Sequence, residues 1–190
     1  MLDSSLLAAH FADALPYDAY LETGTPDQRA AFDRAHDAAA LTPAQRDLIA
    51  SFTREIRVIV LSGMWCGDCV AQCPLLARIA EANPAKLLVR FADRDEHDEL
   101  SEEAQINQGR RVPAAIFMAE DHEFVHLLGD RTLSRYRAIA ARQLGAACEL
   151  PTAGVSDDEG AACLDDWVRE FERVELLLRL SPRLRQKHGD

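Results

Sequence analysis

The chain has 190 residues, 48% of them hydrophobic, with a formal net charge of -11 and no polybasic run. That length suits one domain with terminal extensions, and that charge argues against nucleic acid or an anionic membrane as a partner. No apolar run approaches the roughly 18 residues that cross a bilayer.

The opening "MLDSSLLAAHFADALP" carries Asp3 and Asp13 and no basic residue, unlike a secretory signal. Residues 1–55 read as a helical extension packing on the core. "TPDQRAAFDRAHDAAA" and "TPAQRDLIASF" open alike: Thr25 and Thr42 are N-caps, Pro26 and Pro43 take the first helical position, and Gln28 and Gln45 complete capping boxes. "IRVIVLSG" (56–63) is β-branched and ends in Gly, which predicts a buried strand. A helix follows from Gly67 to Ala82, then a strand at 86–92. The polar "DEHDELSEEAQINQ" runs as a helix or turn to Gly109, its acidic face solvated. Strands at 114–119 and 123–129 flank the tight connection "EDH", and a helix spans 132–145. The order over 56–145 is β-α-β-α-β-β-α, an α/β core. Residues 146–190 supply a linker and a C-terminal helix. Ser156 and Glu159 form a further capping box there, and Trp167, Phe171, Val174, Leu177 and Leu178 lie near one face. The basic stretch 181–187 is expected to fray, and His10, His36, His97 and His188 to be solvated.

"SGMWCGDCVAQCP" (62–74) carries the chemistry. Five cysteines is an odd count in a chain too long to need a disulfide scaffold, so reduced thiols and a cytoplasmic location are expected. Cys66 and Cys69 form C-x-x-C at the strand-to-helix junction. Unpaired backbone N–H groups and the positive end of the helix dipole favour a thiolate there, and the second sulfur is one turn away, placed to attack a mixed disulfide. Gly67 lets another backbone approach. Asp68 puts a carboxylate beside the thiolate, which opposes the dipole and biases the pair toward acting as a reductant. Zinc sites use C-x-x-C too, and Cys73 extends the set to C-x₂-C-x₃-C, but no fourth ligand follows plainly. Cys73 is either a third thiol in the exchange or a small buried helix residue.

"VIVLSGMWCGDCVAQCP" resembles the thioredoxin active-site segment: apolar strand, Trp65, Cys66-x-x-Cys69, then Pro74. Val112-Pro113 before "AAIFMA" is similar to that family's cis-proline segment, and Gly129 falls where the family expects it. With "RDEHDEL" and "NQGRRVP", the W-C-G-D-C form is most similar to a branch of bacterial thioredoxin-like proteins with added terminal helices. The resemblance covers residues 55 to 145. It implies a thioredoxin-like fold: a central mixed four-stranded sheet flanked by helices, with helical extensions at both ends. It also implies Cys66 as nucleophile, Cys69 as resolving thiol, and Trp65, Gly67, Asp68, Val112 and Pro113 as the substrate-binding surface. The chain departs from the family pattern in three places. Asp68 stands for Pro, Ala114 follows the proline where Thr is common, and Val60 replaces the buried acid that accepts the proton of the resolving thiol. Arg110 and Arg111 are candidates to shape the local field, Arg111 by approaching Asp68 or the thiolate.

One motif competes. "HEFVHLLG" contains His122-Glu123-x-x-His126, the zinc-protease pattern. Two histidines four apart grip one ion on a helix. On a strand they lie about 13 Å apart, and the flanking apolar runs predict a hairpin, so no metal is expected. The function expected is thiol–disulfide exchange without an organic cofactor. It would act on a disulfide-containing protein or a small-molecule thiol substrate and be recharged by an unidentified reductase or thiol reductant. A thioredoxin-fold interaction or redox-sensing module with little reductase activity is the alternative.

Overall fold

The structure is a computed structural model that describes residues 2–144, 155–156 and 158–190. Strand β1 (Ile56–Ser62) is buried along its length except for Arg57, the pattern of a strand covered on both faces. The chain turns at Gly63 into the helix Gly67–Ala82 and returns as β2 (Leu87–Asp93), parallel to β1 with Val58 opposite Val89. Strands β3 (Ala114–Met118) and β4 (Phe124–Gly129) add antiparallel, with Val60 opposite Ala115 and Ile116 opposite Leu127. The order β2-β1-β3-β4 gives the mixed four-stranded sheet expected from the sequence. The parallel pair is joined by a helical crossover, as parallel pairing requires, and the last pair by the tight "EDH" connection.

Four helices precede the sheet: α1 (Ser4–Asp13), α2 (Tyr17–Leu21), α3 (Pro26–Ala38) and α4 (Pro43–Ala50). Both capping boxes form as read, Thr25 with Gln28 and Thr42 with Gln45. Between α1 and α2, Leu15 pairs with Phe91 through two backbone hydrogen bonds of 2.8 and 2.7 Å. This contact covers part of the β2 edge and fixes where α2 begins. The Tyr20 ring then stacks on Phe91, centroids 5.5 Å apart, and meets Phe32 edge-on.

After β1 come α5 (Gly67–Ala82), α6 (Asp98–Glu103), α7 (Leu133–Leu144), α8 (Glu159–Leu180) and α9 (Pro182–His188). Helix α8 packs on α5, and its Trp167, Phe171 and Val174 are wholly buried, with Phe171 edge-to-face against Phe117 of β3 at 5.2 Å. Buried Glu175 caps the entrance to β1, accepting from the Thr53 and Arg54 N–H groups at 2.9 and 3.1 Å. Among the described residues, no helix is long and apolar enough to cross a membrane.

Several local expectations are corrected. Asp158, not Ser156, caps α8, accepting from the Ala161 N–H, because Ser156 instead bonds the backbone of Asp158 and Glu159 turns toward arginines. Leu177 lies outside the buried face that Leu178 completes. The basic stretch 181–187 does not fray: it forms most of α9, where Arg183 pairs with Asp121 and Lys187 and His188 with Glu120. His97 is buried, its Nδ1 2.9 Å from that of His10, and His36 pairs with Glu81. The linker expected at residues 145–156, with Cys148, lies mostly outside the described residues.

Because α8 contributes full-sized aromatic side chains to the core, Phe171→Ala should lower stability by about 3–5 kcal/mol. Urea denaturation checks this, through a lower midpoint with an unchanged slope. A loss near zero would mean that α8 is peripheral.

Candidate functional site

The buried strand β1 delivers the chain into α5 at a fixed point, and Cys66 is the N-cap residue of that helix. Cys66 is half-buried, while Cys69, one turn in, has no exposed surface. Both sulfurs are free thiols, as are Cys73 and Cys163. The Val112-Pro113 peptide is cis, as the resemblance implied, and the Cys66 thiol donates to the Val112 carbonyl at 3.6 Å. Gly129 permits this approach: a Cβ there would stand 2.7 Å from the Pro113 carbonyl oxygen and 2.9 Å from Ala114 Cα. A Cβ on Gly67 would meet nothing within 4 Å, so the space above the dithiol is open.

Trp65 is 55% exposed beside Cys66, with the Arg94 guanidinium 4.7 Å from its ring centre. Gly63 makes room for the indole, since a Cβ there would fall 2.6 Å from the ring. A groove of ≈ 500 Å³ runs from Trp65 and Cys66 past Asp68 to Arg131, Arg135 and Arg142.

The neighbouring Cys69 side chain pushes the Cys66 thiol up, and burial adds to this. Backbone N–H groups of Cys69 and Asp68 pull it back down. The helix start lowers the Cys66 thiol as expected, but the neighbouring sulfur and burial outweigh it, and the net shift is upward rather than toward the thiolate. Burial pushes Cys69 up. Two thiolates this close repel, so the pair titrates as a unit and gives up its protons in two separated steps.

Asp68 does not stand alone against the helix dipole. Arg131 grips it at 2.6 and 2.9 Å, and Arg135 at 2.9 and 3.0 Å. Burial opposes the Asp68 carboxylate, yet the two guanidinium groups outweigh it and hold its pKa below the ordinary value. Arg135 continues to Glu159 at the start of α8, which Arg142 also meets at 2.6 Å. The expectation for Arg111 is corrected: it pairs with buried Asp130 at 3.1 Å rather than with Asp68 or a sulfur, because Arg131 and Arg135 already occupy the carboxylate. Arg110 turns away to Ser101 and Asp98.

Behind the dithiol, Gln72 is wholly buried and ties α5 to the segment after β4, donating to the Asp130 carbonyl at 2.9 Å and accepting from the Thr132 N–H at 3.1 Å. Cys73 is buried on the same helix, 3.3 Å from the Ser62 hydroxyl. Val60 is fully buried at the position of the absent acid. Sequence reasoning missed Arg131, Arg135, Gln72, Ser62 and Tyr20. The unpaired charge of Asp68 was a signal that cations must stand nearby, but not which ones.

The histidine motif does not assemble. His122 lies in the turn before β4, with Nε2 2.6 Å from Arg57 Nη1, whereas His126 faces Glu170 of α8 at 3.3 Å. Among the described residues, no group of His, Cys, Asp and Glu could hold a metal ion.

Two outcomes follow from this electrostatics. Asp68→Asn removes a carboxylate from beside two guanidinium groups near the helix start and leaves the site more positive, so the first thiol pKa should fall by about half to one unit. Ultraviolet thiolate absorbance against pH reads this directly, and a rise would refute it. The carboxylates of Asp68 and Asp130 both lie below their ordinary value, Asp130 because its hydrogen bonds, led by that from Tyr136, outweigh its burial. Depressed carboxylates contribute stability that is fully present above the unfolded value near ~4 and lost as pH falls through the folded value. The urea midpoint should therefore drop as pH is lowered below ~4, and less steeply in Asp130→Asn.

The sequence family model described as Thioredoxin matches residues 14–138, a span that takes in α2, α3 and α4 as well as the sheet. No curated protein is significantly similar in sequence. Among solved structures, the chain is similar to a Pseudomonas aeruginosa protein of unknown function, with TM-score 0.65 and 17% identity over 90% of this chain and 99% of that one. It is also similar to an HIV epitope scaffold, with TM-score 0.63 and 17% identity over 84% and 96%. These likenesses concern the fold, and the matched span agrees with the mixed sheet, the cis-proline and the helix-start dithiol: the chain belongs to the thioredoxin family.

Proposed function

We propose that this protein is a cytoplasmic thiol–disulfide oxidoreductase that reduces disulfides through Cys66 and Cys69. The observation that carries this is a half-exposed thiol above a fully buried one, with the upper sulfur 3.6 Å from the Val112 carbonyl under open space. A substrate chain in extended form can lie against Val112 and Pro113, between Trp65 and Gly67. The Cys66 thiolate attacks one substrate sulfur, the substrate disulfide breaks, and the first substrate thiol leaves. The Cys69 sulfur then attacks Cys66. A Cys66–Cys69 bond forms, the mixed disulfide breaks, and the second substrate thiol leaves. Two electrons pass to the substrate, and an external thiol reductant returns them. The odd cysteine count supports reduced surroundings.

A second reading is an interaction or redox-sensing module. Leu176, Leu177 and Leu180 favour it, because all three stand exposed along α8.

Insulin reduction with wild type and Cys66→Ser separates the two: activity lost in the variant supports exchange, and background activity in both supports the module. In Cys69→Ala, substrates should remain on Cys66 as mixed disulfides, recovered by non-reducing electrophoresis and released by dithiothreitol. An absence of such adducts counts against the exchange reading.

A further inference from the structure

We propose that Tyr20, on the helices preceding the sheet, is a positioning residue for the closing step: through Ser62 it directs a hydrogen bond at the buried sulfurs and holds the Cys69 thiolate as it forms. This rests on the dithiol reading above. The problem it addresses is set by Val60. A buried acid is absent there, so the Cys69 proton must pass to the departing substrate thiolate while the Cys69 sulfur stays away from solvent.

Ser62 lies two residues beyond Val60 on β1, hence on the same face of the strand. Its side chain is wholly buried. The Tyr20 hydroxyl donates to Ser62 Oγ at 2.9 Å. With its lone pair so occupied, the Ser62 hydrogen is free to turn to sulfur. Cys73 Sγ is 3.3 Å away, and the Ser62 side chain pulls the Cys69 pKa down against the burial that raises it. Hydrogen bonds in such a chain polarise one another in a low dielectric. Donation to the charged form stabilises that form.

The Tyr20 hydroxyl is held in place from outside the site. Its ring is clamped between Phe91 and Phe32, and the Leu15–Phe91 pairing sets the helix that carries it. Burial pushes the Tyr20 phenol far up, so it stays protonated and serves as a donor throughout. The titratable groups facing this chain are Cys66, Cys69 and Cys73 on α5, Tyr17 on α2 beside Cys73, and Asp93 at the end of β2. Burial pushes the Tyr17 phenol far up, so it stays protonated across neutral pH and a change in the pH profile there does not come from it.

The experiment uses the reduced full chain and an excess of a chromogenic aromatic disulfide. Attack by Cys66 releases one aromatic thiolate in a phase that scales with reagent concentration. Closure by Cys69 releases the second in a phase that does not. Loss of the Tyr20 hydrogen bond that orients and polarises Ser62 should slow the second phase of Tyr20→Phe by about 3- to 10-fold, raise its apparent pKa, and leave the first phase unchanged. Ser62→Ala should do the same, and the double variant should be no slower than the slower single. Tyr20→Phe with both phases and the pH profile of wild type overturns the proposal. If Tyr20→Phe does not fold, an unchanged second phase in Ser62→Ala overturns it instead. A wild type that shows no second phase removes the dithiol reading itself, and this inference with it.

Discussion

Cys69 has no contact with solvent while Cys66, one turn above it, does, and that difference in depth organises the rest of the molecule. A strand buried on both faces and a helix that starts immediately after it hold the two sulfurs at these depths. The sheet supplies the floor, the cis-proline segment the wall, and Gly129 the clearance that lets the wall stand close. A dithiol on a loop would leave both thiols equally open to water, and nothing would distinguish one from the other.

The charge around the dithiol is arranged to cancel locally. Asp68 would by itself disfavour a thiolate at the helix start, but Arg131 and Arg135 bracket it, and Glu159 in turn restrains Arg135. The ladder ends on α8, so the C-terminal helix is joined to the site through ion pairs as well as through aromatic packing. Partly buried pairs of this kind gain more from geometry than exposed ones, since each guanidinium sets two nitrogens on one carboxylate oxygen and screening by salt is reduced.

The fold was legible where chemistry is local. The β-branched run before Gly63, the two Thr-Pro-x-Gln openings and the Gly-bounded hairpin each follow from neighbours in the chain, and the structure places them within a residue or two. Cys66, Cys69 and Val112-Pro113 were found by spacing and resemblance. What stayed hidden depends on distant pairing. Arg131 and Arg135 become partners of Asp68 only after β4 returns the chain to the start of α5, and Arg111 was equally plausible by composition. Tyr20 reaches Ser62 only because Leu15 hooks onto Phe91, a contact between segments about seventy-five residues apart with no motif to mark it. The basic stretch at 181–187 was misjudged for a related reason: its counter-charges, Glu120 and Asp121, sit in the hairpin connection on another part of the chain.

The two tryptophans of the chain sit in opposite surroundings, and this gives the molecule a built-in optical readout. Trp167 is sealed in the core, so its emission should lie to the blue and move to the red only when the core opens. Trp65 faces water next to Cys66, with a cation over its ring, so its emission should lie to the red and respond to what happens at that surface. One spectrum thus carries two separate signals, one from the core and one from the surface beside the dithiol, without any attached dye.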